Sequence, residues 1–312
     1  MKKKSIIIFN TILIILIIIT ILYYTYFKIK NRYIKELFTD NSFKLFTDFL
    51  KSQRLGYNEN RINTNKDYIN YSTLVDKLLV KDKLSNIPDL HLAKVLGVYN
   101  NTSEIDIDKL PDKFIIKVNH WSGTNLVVNK KEITDIEEFK KKIANRFDNK
   151  LDKVYTDSYE YLYRFIKPQL FIEEFLIMDH LEYRLHVIHG KVIYIYVKRA
   201  DGNPEGENIF TIDWKELNVD ANLNKIRFRY SKPFFINTLI HIAELLANKF
   251  IIDYARIDFF ISDNKIYFAE FTMTPHALKY NYTPVEFDEL LMEFYKTKNI
   301  DYNKINKYIR EE

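Results

Sequence analysis

No cysteine occurs in this chain of 312 residues, so disulfides, thiolate catalysis and Cys-ligated metals are excluded. Glycine is nearly as scarce, with six residues, which makes each one a marker of a turn or of a close backbone approach. A basic surface is missing too. The formal charge is +5, but residues 1–35 hold seven Lys or Arg and no acid, leaving 40 basic against 42 acidic groups in the other 277 residues. A nucleic-acid surface needs a basic face, and none is expected here. What the chain has in quantity is apolar and aromatic side chains, 47% and 15% of residues, enough for one large core or two to three subdomains.

Residues 5–27 contain no charge, and Ile6 to Ile19 is a nearly unbroken run of Ile and Leu. As a helix this stretch would reach about 35 Å, against a hydrocarbon core of about 30 Å. Tyr23, Tyr24 and Tyr26 stand at one end, where an interfacial aromatic belt belongs. A cleaved signal peptide would have a shorter apolar region followed by a small-residue cleavage site, and none follows. The expectation is an uncleaved single-pass anchor over residues 5–27, behind a basic tail of residues 1–4. Both flanks are basic, so the charge rule leaves the orientation open.

Beyond the anchor, residues 28–65 read as a juxtamembrane helix, with Leu45, Phe46, Phe49 and Leu50 at helical spacing, and a connector around "GYNENRINTN". Residues 66–112 read as a helix to Leu84 followed by a short strand and loops. From Lys113 the pattern turns β. "KFIIKVN" and "LVVN" flank the turn "HWSGTN", which predicts a hairpin. "DIEEFKKKIANRF" opens on an Asp N-cap and sets Ile136, Phe139, Ile143 and Phe147 on one face. "PQLFIEEFL" reads as a strand, "EYRLHVIHGKVIYIYVKR" as a hairpin turning at Gly190, and "NTLIHIAELLANKF" as a helix packed on a sheet. The boundaries expected are 113–175 for a small subdomain and 176–312 for a C-terminal one. The class is α+β with mainly antiparallel sheet.

The segment "YARIDFFISDNKIYFAEFTMTP" puts an Arg and acids into two otherwise apolar strands. Alternation places Arg256, Asp258 and Phe260 on one face, and Glu270 with Thr272 on one face of the returning strand. A three-residue loop over 263–265 sets Asp258 opposite Glu270 and Arg256 opposite Thr272. A two-residue loop would separate the acids. Two bare carboxylates that close repel unless a proton or cation lies between them, and Mg²⁺ is commonly held by one or two carboxylates plus phosphate oxygens. A surface Arg–Asp ion pair explains the same residues if the hairpin is taken alone. Lys117, inside an apolar strand ahead of Ser122 and Gly123, suits an anion, or else extends to solvent. Glu173 and Glu174 are adjacent, so one can face a cleft while the other is solvated. Arg184, Lys198 and Arg199 on the next hairpin suit anions, Arg184 that of the cofactor and Lys198 and Arg199 that of an anionic substrate.

The order of these pieces resembles the ATP-grasp superfamily, most closely its TupA-like branch of teichuronopeptide-biosynthesis type. The matching stretches are "LVDKLLVKDKL", "LGVYNNTSEIDIDKLPDKFIIKVNHWSGTN", "IKPQLFIEEFL", "EYRLHVIHGKVIYIYV", "FTIDWKEL" and "ARIDFFISDNKIYFAEFTMTP". The resemblance implies an ATP-grasp fold of two α+β subdomains clasping a nucleotide. It assigns Lys117 to the ATP phosphates, Ser122 and Gly123 to the loop covering them, and Lys77 to the nucleotide side. Glu173, Glu174 and Leu176 match the adenine and ribose segment, and Arg256 matches the Arg that steadies the transferring phosphoryl group. Asp258 and Glu270 match the Mg²⁺ carboxylates, with Thr272 where many relatives carry an Asn ligand. His276 and Trp121 stand where that branch usually has Gly.

The activity implied is an ATP- and Mg²⁺-dependent carboxylate–amine ligase working on an acidic small molecule or surface glycopolymer and an amine. Its catalytic side would be cytoplasmic, at a membrane, with His276 on the substrate side. A sugar or lipid head-group kinase on the same frame, and a membrane-tethered binding protein with a decayed ATP site, are the two alternatives.

Overall fold

The computed structural model of the chain describes residues 16–26, 28, 43–55, 66–123, 125–151, 160–199, 207–221 and 229–311. They fall into two compact units, residues 1–44 and 45–312. In the first, residues 16–26 are helical, with Leu16, Ile17, Ile18 and Leu22 exposed. Among the described residues no helix is long and apolar enough to cross a membrane; residues 5–15 and 27 of the expected anchor and the connector 56–65 lie outside them.

The second unit is built on two main sheets, antiparallel throughout except that the strand Leu90–His91 pairs in parallel with the strand Lys265–Thr272 in the larger one. The smaller contains β2 (Val95–Tyr99), β3 (Lys113–Val118), β4 (Leu126–Asn129) and β5 (Leu170–Glu174), in the order β2-β5-β3-β4. Phe114, Ile116 and Val118 point to one face and are fully buried against Ile143 and Phe147 of the helix Ile136–Leu151. That helix starts where its sequence says it should. Asp135 accepts the N–H groups of Glu137 and Glu138 at 2.8 and 3.0 Å, satisfying two donors of the first turn.

The larger sheet has β1 (Leu90–His91), β6 (Leu181–Ile188), β7 (Lys191–Arg199), β8 (Asn208–Phe210), β10 (Tyr254–Ser262) and β11 (Lys265–Thr272), ordered β1-β11-β10-β6-β7-β8. A third, two-stranded sheet pairs β9 (Asp220–Ala221) with β12 (Tyr282–Thr283). On one face of the larger sheet Leu185, Ile195, Ile257 and Phe259 pack against Leu239, Ile242, Ala243 and Leu246 of the helix Ile236–Lys249. Each fully buried Leu, Ile or Phe among them is worth about 1.5–3 kcal/mol relative to exposure. The β6–β7 hairpin turns at His189 and Gly190, both at positive φ, as a two-residue loop requires.

The expected long helix before Leu84 is two helices, Lys66–Val75 and Leu79–Leu84. Asp76 accounts for the break, because its carboxylate accepts the N–H groups of Leu78 and Leu79 at 2.9 and 3.1 Å and starts the second helix afresh. The β10–β11 loop also differs from expectation. Ser262 pairs directly with Lys265, so the loop is two residues, Asp263 and Asn264, both at positive φ. That loop by itself would put the two acids on opposite faces. A β-bulge restores the register: Phe259 pairs with Phe268 while Asp258 pairs with Glu270, leaving Ala269 as the extra residue.

Candidate active site

The face of the larger sheet turned away from the helix Ile236–Lys249 is polar, and its side chains form cross-strand rows. One row runs Thr272, Arg256, His186, Tyr194, and the next runs Glu270, Asp258, Arg184, Tyr196. Arg256 is 6% exposed and Asp258 not at all. The guanidinium grips Asp258 in bidentate fashion, Nε to Oδ1 at 2.8 Å and Nη2 to Oδ2 at 2.6 Å. The same Nη2 donates to Thr272 Oγ1 at 3.2 Å and reaches Glu270 Oε1 at 3.5 Å, and the Thr272 hydroxyl donates to Glu270 Oε1 at 3.2 Å. Arg184 Nε lies 3.9 Å from Asp258 Oδ2, and its far end bonds Glu182 at 2.8 Å.

The two carboxylates are set to different proton affinities. Burial pushes Asp258 up to about 6, with Arg256 and Arg184 holding it from going further. At Glu270 burial also pulls upward, but Lys77, Arg256 and Arg184 outweigh it and leave the carboxyl below its ordinary value. Beneath them His186 is buried, with Tyr194 and Tyr254 hydroxyls 2.9 and 3.1 Å from Nδ1. Burial, then the charges of Arg256 and Arg184, drive its affinity for a proton far below the usual range, so this floor is neutral.

The smaller sheet supplies the lysines. Lys117 on β3 and Glu173 on β5 share a face diagonally, and Lys117 Nζ donates to Glu173 Oε2 at 2.5 Å. Lys81, from the helix Leu79–Leu84, holds the other oxygen at 2.7 Å. Glu174 faces the opposite way and accepts the N–H of Lys94 at 2.8 Å. Leu176 follows, half-buried, in the segment after β5.

One segment joins the two sheets. Lys77 Nζ lies 3.7 Å from Glu270 and donates to the carbonyl of Trp121 at 3.0 Å. Its own N–H bonds the carbonyl of Asn119 at 3.3 Å, and the Asn119 amide donates to Asp76 at 3.2 Å. Asn119 and Asp76 are buried, so this contact fixes the turn that carries Ser122 and Gly123 against the segment that carries Lys77. Gly123 has a positive φ of 66° with open space where a Cβ would lie, so only its backbone conformation asks for glycine. Trp121 is half-buried and packs against both main apolar clusters.

On the far side Lys198 lies 3.6 Å from Glu207, which also accepts the Tyr196 hydroxyl. Arg199 follows Lys198 and falls on the opposite face of β7 by alternation, away from the Asp258 row. His276 is exposed and stacks on Tyr280, ring centroids 5.5 Å apart and planes within 10°. Tyr280 is buried, and Arg256 is the main charge acting on it. His276, Ala277 and Leu278 all have positive φ, three left-handed residues in a row.

Sequence reasoning did not find Lys81, Asp76, Asn119, Glu207 or Tyr280. The first had a signal, since Lys81 stands one helical turn after Lys77 in "DKLLVK". Among the described residues no group of three His, Asp or Glu could hold a metal ion. The donor set that does stand together, two carboxylates and a hydroxyl, fits a magnesium ion that completes its shell with phosphate oxygens and water.

The sequence model of the TupA-like ATPgrasp family matches residues 58–296. The chain belongs to this family. No curated protein matches it. Among solved structures, D-alanine–D-alanine ligase from Bacillus anthracis, complexed with ATP, is 13% identical, with a TM-score of 0.40 over 65% of this chain and 55% of that one. An L-amino acid ligase from Bacillus licheniformis is 14% identical, with a TM-score of 0.43 over 65% of this chain and 44% of that one. A RiPP-associated ATP-grasp ligase from Chryseobacterium gregarium, in complex with ADP and a leader and core peptide, is 12% identical, with a TM-score of 0.42 over 76% and 62%. The TupA-like chain thus spans about half the length of the first two.

Proposed function

We propose that the protein is an ATP- and Mg²⁺-dependent ligase that joins a carboxylate to an amine through an acyl phosphate. The observation that carries this reading is the cross-strand pair Asp258 and Glu270, with Arg256 and Thr272 beside it and Lys77 reaching it from the segment bonded to the turn that follows Lys117. Lys117 and Lys77 bind the phosphates of ATP under the turn at Ser122 and Gly123, and Glu173, Glu174 and Leu176 border the nucleotide base. Asp258, Glu270 and the Thr272 hydroxyl hold Mg²⁺. When bound, that ion neutralises and orients phosphate oxygens.

The chemistry then asks little of the protein beyond position and charge. A substrate carboxylate oxygen attacks the γ-phosphorus, ADP leaves, and the amine nitrogen attacks the acyl carbon as phosphate departs. Arg256 steadies the charge that spreads over the transferring group; loss of one such donor typically costs about 10²–10³ in rate. Arg184 and Lys198 border the acceptor side with His276 at its rim, which suits an acidic substrate. We infer an acidic surface glycopolymer or its lipid-linked precursor as acceptor, and a catalytic unit held on the cytoplasmic side of a membrane by residues 5–27.

A phosphate-release screen on the full-length chain in detergent, with Mg·ATP, uronic-acid sugars and amino acids, tests the reading. Release that needs both a carboxylate and an amine supports it, whereas phosphate left on the acceptor identifies a kinase instead.

A further inference from the structure

Glu173 is 3% exposed and carries two ammonium groups, one on each oxygen. The two lysines are not equivalent. Lys81 belongs to the helix Leu79–Leu84, which Val80 and Leu84 anchor in the core, and its ammonium also donates to the carbonyl of Ala93 at 2.9 Å. Lys117 sits on the face of β3 turned away from the core, and Glu173 is its ammonium's one acceptor among the described residues. Burial works to raise the Glu173 carboxyl, but Lys117 and then Lys81 overcome it, so the group is ionised. A buried carboxylate that loses its partner is strongly destabilised, which would resist any departure of Lys117 toward a phosphate.

We propose that Lys81 is a positioning residue for nucleotide binding: it is the standing counter-ion of Glu173, and it lets Lys117 leave that carboxylate for a phosphate group without stranding a buried charge. The proposal rests on the reading of Lys117 as a phosphate ligand. Lys81 does not follow the phosphate, because its helix and the Ala93 carbonyl hold it in place. The triad also carries one positive charge in excess, which favours an anionic guest.

The test is Mg·ATP affinity of the full-length protein by calorimetry, with thermal unfolding to check folding, for K81M, K81R, E173Q, K81M/E173Q and K117M. The expected result is a tenfold or greater loss in K81M, less than threefold in K81R, and a K81M/E173Q affinity within threefold of E173Q alone. Suppression arises because removing the carboxylate removes the trap that holds Lys117. A double variant as weak as K81M, or one showing the two losses added, overturns the proposal, since a purely structural Lys81 or a direct phosphate ligand would behave so. If K117M binds Mg·ATP as tightly as the unaltered protein, the phosphate role of Lys117 itself fails, and that outcome is separate from a failed suppression.

Discussion

The two sheets handle buried charge in opposite ways. On the larger, carboxylates stand in register across strands, and arginines from the same face neutralise them: Arg256 on Asp258, with Arg184 behind. On the smaller, one carboxylate serves two lysines. The first arrangement offers paired oxygens whose proton affinities have been driven apart, which suits a hard cation. The second leaves positive charge in excess, which suits phosphate. The segment Asp76–Lys81 touches both, through Lys77 at Glu270 and Lys81 at Glu173.

This contrast can be broken most severely on the larger sheet. Glu270→Gln and Asp258→Asn should each lower Mg·ATP-dependent phosphate release by about 10²–10³ while the far-ultraviolet circular dichroism stays unchanged.

Of intermediate size is the packing beneath that sheet. Leu246→Ala, at a fully buried position on the helix Ile236–Lys249, should cost about 2–5 kcal/mol in denaturant unfolding. Proton competition should follow. Asp258 has a folded pKa of about 6, raised by burial, so Mg·ATP affinity should weaken as pH falls below that value. The stability term has the opposite sign. A raised carboxyl pKa favours the fold at low pH and loses that contribution as pH rises through about 6. Asp258→Asn should therefore flatten the pH dependence of stability between pH 4 and pH 6. The smallest effect is at the left-handed turn: Ala277→Gly should stabilise the protein by about 1 kcal/mol in thermal unfolding, because its φ of 49° is unfavourable for any residue with a Cβ.

The parts of this molecule that were legible are those governed by period. Alternation put Arg256 and Asp258 on one face, and helical spacing marked Phe46, Phe49 and Leu50, all buried. Asp135 announced its helix because an N-cap is a local interaction. The bulge was not legible, since Ala269 carries no chemical mark and the extra residue is defined only by its partner strand. The expected register was therefore reached through the wrong loop. Lys81 was missed for a similar reason. A lysine on a short polar helix reads as solvated until the fold brings Glu173 from 92 residues away to meet it. Arg199 shows the converse: it is basic and near the site in sequence, but alternation turns it from the polar face.

The central claim is that Asp258 and Glu270 together hold a divalent ion beside the nucleotide. Electron paramagnetic resonance of Mn²⁺ titrated into the protein with ATP tests it most directly. The account predicts a tightly bound, ATP-dependent Mn²⁺ population in the unaltered protein that disappears in both Asp258→Asn and Glu270→Gln. An undiminished bound signal in either variant would contradict it.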